Sequence, residues 1–184
     1  MKFLKYTLYA IIGLIAVFFA LGFLMPSVHY GHEITVNKPL KESWAVQQDE
    51  SKFGQWLAGF KSIDLVRGEQ GAIGSTYKVV VKPSEEEPDF EMIETLVDKK
   101  DFEYVQLSFD SDMMLFVQTT SFSEVDGKTI IKTDSEVSGK GMVMRSMFAL
   151  MELLGGSFEA QEVKNLEALK QVIEENETDY NLAI

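Results

Sequence analysis

The chain has 184 residues and a formal net charge of −12, with 29 acidic residues, 17 basic residues and no cysteine. This acidity disfavours nucleic acid as a partner, because binding to phosphates needs a basic surface. The absence of cysteine excludes disulfides, thiolate nucleophiles and cysteine-based zinc sites. The length beyond a short apolar N-terminus is close to one domain and is ample for a hydrophobic core.

The most apolar part of the chain is the run from Tyr6 to Met25, which contains no charged residue. As a helix this run spans about 30 Å, the thickness of a bilayer's hydrocarbon core. We therefore expect residues 1–26 to form a single-pass transmembrane anchor. A cleaved signal peptide is the alternative, because a basic start and an apolar run fit both, and Ala20-Leu21-Gly22 would serve as its cleavage site. The apolar run continues beyond that site, which favours the anchor.

The charges on either side of this run predict its orientation. Lys2 and Lys5 precede it, and the first acidic residue after it is Glu33. Since positive flanks tend to remain cytoplasmic, we expect the N-terminus inside and the domain on the outer, periplasmic or extracellular, side. The chain after the run is acidic, so anionic lipid headgroups should repel it. The anchor, not surface charge, would then hold the domain to the membrane.

Beyond the anchor, the spacing of apolar and turn residues predicts a regular series of elements. They are a strand at 30–36, short helices at 40–46 and 51–56, strands at 63–66, 75–81, 90–97, 103–109, 113–125 and 129–137, and a long helix at 142–175. An acidic, proline-bounded loop is expected at 82–88, and Pro39 suits the first turn of the first short helix. Asp126-Gly127 indicates a type I′ hairpin turn, because both positions need a positive φ. Gly155-Gly156 is the expected weak point of the long helix.

This inventory predicts the fold. A meander of antiparallel strands has one apolar face to bury, and the long C-terminal helix is the element large enough to cover it. Its second half repeats apolar residues at helical spacing: Val163, Leu166, Leu169, Val172 and Ile173. We therefore predict an α+β domain over 27–177, in which an antiparallel sheet wraps around the long helix, followed by a frayed tail at 178–184.

Four segments, in this order, resemble motifs of the START-like or SRPBCC superfamily, which includes polyketide cyclase/dehydrase and lipid-transport proteins. They are NKPLKESW at 37–44, DESKFGQW at 49–56, GEQGAIGS at 68–75 and DGKT at 126–129. The resemblance covers nearly the whole outer domain and implies a helix-grip fold with a hydrophobic cavity between the sheet and the long helix. Many members place catalytic or other polar groups in this cavity, and this sequence matches none of those motifs.

The high content of phenylalanine and methionine in the domain favours the same cavity. The chain has 13 phenylalanines and 9 methionines, and methionine lines adaptable apolar surfaces. An ordinary methionine-filled core is the alternative to a pocket for a hydrophobic ligand. The candidate cavity residues are Tyr77, Met92, Tyr104, Phe116, Gln118, Arg145 and Phe148. Arg145 either extends to solvent along apolar surface or holds a carboxylate or phosphate headgroup.

Other chemistry-bearing residues favour structural interpretations. His29 and His32 lie near the membrane-proximal edge and fit a linker better than a metal site, so no metal and no cofactor is predicted. The glycines at 68, 71 and 74 fit a tight turn better than a phosphate loop, and Gly139-Lys140-Gly141 fits a joint better than an anion cradle. The paired acids at 91 and 94, and at 134 and 136, are expected in solvent. The residues that alternate with the second pair, between 129 and 137, are then expected to face inward.

Together these observations predict a membrane-anchored binding module for a hydrophobic small molecule or lipid. One alternative is a cyclase/dehydrase- or hydrolase-type enzyme that uses the same cavity, which requires an ionisable group facing inward. A second alternative is a protein-interaction module that presents a sheet edge or an acidic face at the membrane.

Overall fold

The computed structural model describes residues 2–82 and 86–180, and it confirms an α+β fold in which an antiparallel sheet grips a C-terminal helix. The helices in this part of the chain are α1 Lys2–Leu24, α2 Leu40–Gln48, α3 Phe53–Trp56, α4 Gly141–Gly155 and α5 Ser157–Glu174. The strands are β1 Ser27–Tyr30, β2 Glu33–Val36, β3 Phe60–Arg67, β4 Thr76–Val81, β5 Phe90–Lys100, β6 Tyr104–Asp110, β7 Met114–Val125 and β8 Lys128–Gly139. Residues 83–85 of the predicted loop and 181–184 of the predicted tail lie outside the described residues.

The sheet is antiparallel throughout and follows the chain. Strands β3 to β8 form a meander in sequence order, and β1 and β2 both pair with β8 at its edge. The longest hairpin, β7–β8, turns at Asp126 with φ 52° and Gly127 with φ 73°. Both values are positive, as the Asp-Gly pair predicts.

The first strand differs from its prediction. Instead of one strand at 30–36, two short strands are separated by Gly31 and His32. A Cβ added to Gly31 would lie 2.4 Å from the carbonyl oxygen of Thr133, so the backbone approaches β8 more closely there than any other residue would allow. The edge remains tied to the sheet, because the Thr133 N–H donates to the His32 carbonyl at 2.9 Å.

The predicted C-terminal helix at 142–175 is divided into two helices at the glycine pair where its weak point was expected. Gly156 adopts the left-handed conformation, with φ 58° and ψ 48°, between α4 and α5. This conformation ends a helix at little cost only when the residue is glycine. Helix α5 then packs against β2, α2 and α3, whereas α4 packs against α1, β1 and β8.

The core lies between α5 and the inner face of the sheet. Leu166, Leu169 and Ile173 of the predicted stripe are buried there. They pack in one cluster with aliphatic and aromatic side chains from the first helices and strands, including Trp44 and Phe122, whose rings are 5.0 Å apart.

A few residues at the domain ends differ from their predictions. Pro39 precedes α2 instead of lying in its first turn. In the predicted tail, the Tyr180 hydroxyl donates to Asp49 at 2.8 Å, and its ring packs against the core.

Helix α1 is the one helix among residues 2–82 and 86–180 that is long and apolar enough to cross a membrane. Its 23 residues extend about 35 Å at 1.5 Å per residue. Nearly all of its side chains are exposed, and its buried residue is Gly22, at the end where α1 meets α4. A Cβ on Gly22 would lie 2.3 Å from the Ser146 hydroxyl and 2.6 Å from the Ser146 nitrogen, so the two helices cross at close range.

Candidate functional site

A cavity of about 540 Å³ lies between the inner face of the sheet and helix α5. Its volume falls within the range of small-molecule sites. Strands β4 to β7 form its floor and α5 its roof, and the α2–α3 region closes one side. Most of the side chains that line it are apolar; they include Val79, Leu96, Leu107, Phe109, Leu166 and Leu169.

Four of the seven residues predicted to line a cavity do so: Tyr77, Met92, Phe116 and Gln118. They lie on β4, β5 and β7 with their side chains on the inner face. Tyr77 is held in place by the Gly71 N–H, which donates to its phenol oxygen at 2.7 Å.

The other three candidates, Tyr104, Arg145 and Phe148, lie outside the cavity. Tyr104 alternates with the buried Val105, so it faces outward, and its hydroxyl donates to Asp98 at 2.7 Å. Arg145 is exposed on α4, where its Nε donates to the carbonyl of Gly139 at 3.2 Å. Phe148 is buried behind the cavity wall. Arg145 and Phe148 are displaced because α4 turns away from α5 at the Gly156 joint.

The wall between the cavity and α4 is a set of aromatic rings, which we call the aromatic wall: Tyr30, Phe116 and Phe158. Tyr30 stacks on Phe116 at 6.4 Å and on Phe158 at 5.9 Å. Phe148 of α4 lies directly behind, with its ring 5.2 Å from that of Phe158 in an edge-on arrangement. One layer of rings therefore separates the interior of the cavity from α4.

Three acidic side chains line the cavity: Glu94, which the sequence placed in solvent, and Glu50 and Glu162, which were not considered as cavity residues. The first is Glu94 on β5, directly opposite the buried Tyr77 on β4. Burial, together with the nearby charge of Glu50, raises the pKa of the Glu94 carboxyl to about 7. Among the described residues, no side chain donates a hydrogen bond to it. Its position could have been found, because Met92, Glu94 and Leu96 alternate on one face of a strand.

The second acid is Glu162 on α5, which is 8% exposed. Gln118 bridges it to the sheet, since its amide donates to Glu162 at 2.8 Å and lies 3.1 Å from the Ser135 hydroxyl. Burial raises the pKa of the Glu162 carboxyl, although hydrogen bonds with Thr133 and Gln118 oppose the shift. Burial and the charge of Glu162 raise the pKa of the Tyr30 phenol. The sequence signal for Glu162 was its spacing of four residues from Leu166 on the buried stripe.

The other acids that the sequence singled out, and the two histidines, lie on the outer surface. Asp134, Glu136 and Glu91 are exposed, and the residues that alternate with the first two are buried. His29 lies 3.5 Å from Glu136, and His32 lies 4.0 Å from Glu167. Within the described ranges, no three His, Cys, Asp or Glu side chains are grouped as metal ligands.

The glycine-rich segments form turns and joints. Gly68, Gly71 and Gly74 have φ of 94°, 72° and 85° between β3 and β4, where positive φ is required. A Cβ on Gly68 would lie 2.3 Å from the Ser75 hydroxyl. At the other joint, a Cβ on Gly139 would lie 2.5 Å from the backbone nitrogen of Arg145, so β8 and α4 meet at close range.

No protein-family model matches this sequence, and a search of curated proteins found no match. Solved structures with the same fold are numerous. A conserved protein from Geobacillus kaustophilus is 15% identical with a TM-score of 0.64, over 79% of this chain and 95% of that one. The Zhui aromatase/cyclase from a Streptomyces species is 13% identical with a TM-score of 0.61, over 80% and 94% of the two chains.

A norcoclaurine synthase from Thalictrum flavum, in complex with dopamine and hydroxybenzaldehyde, is 14% identical with a TM-score of 0.58, over 83% and 90% of the two chains. At these identities the similarity concerns the backbone. The chain therefore has the helix-grip fold that its sequence predicts. Within that fold, these neighbours include an aromatase/cyclase and a norcoclaurine synthase, so the fold alone does not separate binding from catalysis.

Proposed function

We propose that this protein is a membrane-anchored binding protein for a hydrophobic small molecule or lipid, which it holds between the sheet and α5. The observation that carries the proposal is the cavity of about 540 Å³ with a predominantly apolar lining and a few polar groups. An apolar lining favours an apolar ligand, because each buried CH₂ group contributes about 0.8 kcal/mol. The polar groups then fix the orientation of the ligand.

The charges in the cavity favour a particular polar end for this ligand. Glu50, Glu94 and Glu162 line it, and the charge of Glu50 raises the pKa of Glu94. Lys99 also lines it, but its ammonium group is already paired with Asp101 at 3.2 Å. A ligand carboxylate or phosphate placed beside these acids would be repelled. We therefore expect a polar end that donates hydrogen bonds or carries a positive charge, such as a hydroxyl or an amine.

The packing of α1 supports its retention as an anchor. A cleaved signal peptide has no lasting role in the folded protein, whereas α1 crosses α4 at close range through Gly22 and Ser146. Small residues at a helix crossing are typical of helices that pack within membranes. Lys2 and Lys5 at the start of α1 favour the cytoplasmic N-terminus and an outer domain.

Native mass spectrometry of the full chain, released from membranes in mild detergent, tests the binding proposal. We expect an adduct with the mass of a lipid-like molecule. Met92→Trp places a bulky ring in the cavity and should weaken the affinity about tenfold or more, since a clash of about 1.4 kcal/mol suffices, and the adduct fraction should fall accordingly. Ile93→Trp is the matched control, because Ile93 is 41% exposed on the outer face of the same strand and should leave the adduct unchanged. An empty wild-type protein, or equal loss in both variants, would contradict the proposal.

Catalysis in the same cavity is the second candidate, and Glu94 is the observation that favours it. A carboxyl whose pKa is raised to about 7 by burial can donate or accept a proton near neutral pH. The Glu94→Gln variant separates the two functions. If the protein only binds, the variant and the wild type carry an adduct of the same mass. If it catalyses a reaction, the variant accumulates the unconverted substrate and the adduct mass changes.

A further inference from the structure

Helix α4 exposes a broad apolar face that the domain does not cover. Met142, Val143, Leu150, Leu153 and Leu154 are between 36% and 79% exposed. Met147 and Met151 are exposed on the same helix, at 38% and 40%. A contiguous apolar face of this kind on a folded domain marks an interaction surface.

The charges of α4 leave this face free of acidic groups. Its charged residues are Arg145 and Glu152. Glu152 is half-buried towards the domain, where its charge contributes to the raised pKa of Tyr30. Arg145 is exposed, and a long basic side chain of this kind reaches from an apolar surface to phosphate headgroups.

The apolar face is continuous with α1. Residues Phe18, Leu21 and Gly22 of α1 form the less exposed side of that helix near the crossing with α4. Phe23 and Leu24, beside the crossing, are exposed at 75% and 73%. The lipid or protein that covers these last residues of α1 therefore also contacts α4.

We propose that α4 is a second membrane-contacting element, which lies in the bilayer interface with its exposed apolar face among the acyl chains. The inference rests on the proposed membrane anchor. Helix α4 has 15 residues and extends about 22 Å, which is too short to span a bilayer but typical of an interfacial helix. Met113 extends the same surface at the start of α4, since its carbonyl accepts from the Lys140 N–H at 2.8 Å.

The exposed apolar face of α4 contacts lipid, and not a second copy of the chain, for a geometric reason. A partner that covered α4 would also have to cover the neighbouring end of α1, which the bilayer already surrounds in the anchored protein. Lipid covers both helices without any added component. A second copy remains a distinguishable outcome of the experiment below.

The absence of cysteine from the chain permits single-site labelling. Leu154→Cys, at a side chain that is 79% exposed on α4, and Phe23→Cys on α1 would each carry an environment-sensitive fluorophore. Ser123→Cys is the aqueous control, because Ser123 is exposed at the far end of β7, about 30 Å from the α4 end of that strand. The full chain is reconstituted in phosphatidylcholine vesicles that contain doxyl-labelled lipid, and iodide is the aqueous quencher.

We expect doxyl lipid to quench the Leu154 label about as strongly as the Phe23 label, and iodide to quench only the Ser123 label. Leu153→Cys repeats the measurement at a second exposed position of α4, in case one variant fails to fold. Quenching of both α4 labels by iodide, with the Phe23 label still quenched by lipid, would overturn the proposal while leaving the anchor intact. Protection of the α4 labels from both quenchers would overturn it in favour of a protein partner or a second copy. Ligand binding is read separately by the adduct mass, so its failure is distinguishable.

Discussion

Replacing Glu94 with glutamine should stabilise the protein above neutral pH. The pKa of the Glu94 carboxyl is about 7 in the folded protein, against 4.5 for an exposed glutamate. Burial is the main cause, because it disfavours the charged form. At pH values well above 7 the folded protein must ionise this buried group, which costs roughly 3 kcal/mol relative to the unfolded chain.

The dependence on pH has a defined sign. Because the pKa is higher in the folded protein, the folded state binds more protons than the unfolded state between pH 4.5 and 7. The contribution of Glu94 to stability is therefore most favourable below pH 4.5 and is lost as the pH rises through about 7. A glutamine carries no charge at any pH, so the variant lacks this loss. It still buries an amide, which limits the gain at pH 8 to between about 1 and 3 kcal/mol.

The free energy of unfolding can be measured by urea denaturation in a mild detergent, with the fluorescence of Trp44 and Trp56 as the signal. The advantage of Glu94→Gln over the wild type should grow by roughly 2 kcal/mol between pH 5 and pH 8. Glu91→Gln is the matched control, since Glu91 is exposed on the same strand and pairs with Lys78 at 2.8 Å. It should change stability by less than about 0.5 kcal/mol at either pH. A Glu94→Gln variant with no pH-dependent advantage would refute the reasoning.

Two glycine positions give further predictions. Gly22→Leu should force α1 away from Ser146 of α4 and lower the melting temperature in detergent, at a cost of about 1–3 kcal/mol. Gly13→Leu is the control, because a Cβ at Gly13 would meet no atom within 4 Å and should leave the melting temperature unchanged. Equal melting temperatures of the two variants would contradict the close crossing. Gly68→Ala should destabilise the fold more than Gly71→Ala, as measured by urea unfolding. Both replacements adopt a positive φ, but only the first meets a neighbouring side chain. Equal losses of unfolding free energy in the two variants would show that the clash with Ser75 is relieved.

The sequence predicted the meander because strand alternation and turn residues act locally. The Asp126-Gly127 turn and the buried stripe of α5 are determined by backbone preference and helical spacing, which need no knowledge of the rest of the fold. The interruption of the first strand at Gly31 was not predicted. It depends on a close approach to Thr133, a residue of the distant last strand.

The candidate site was predicted in part, for a related reason. Met92 and Phe116 lie on strands whose inner face is identified by alternation, and they line the cavity. Arg145 and Phe148 were assigned to the cavity because the whole C-terminal helix was placed over the sheet, although a break at Gly155-Gly156 was expected. The left-handed Gly156 directs α4 towards α1 instead. Glu94 was missed because acidic residues are usually solvated, and the alternation of its own strand was not weighed against that tendency.

If α4 lies in the bilayer interface as proposed, the aromatic wall is the barrier between the cavity and the acyl chains. Its rings, and Phe148 behind them, are held by packing and stacking. Side-chain rotations are fast compared with the opening of a hydrogen-bonded strand ladder. For a ligand that reached the proposed membrane face of α4, displacement of these rings and a change at the Gly156 joint would open the cavity without breaking the sheet, and the ligand would not have to pass through water.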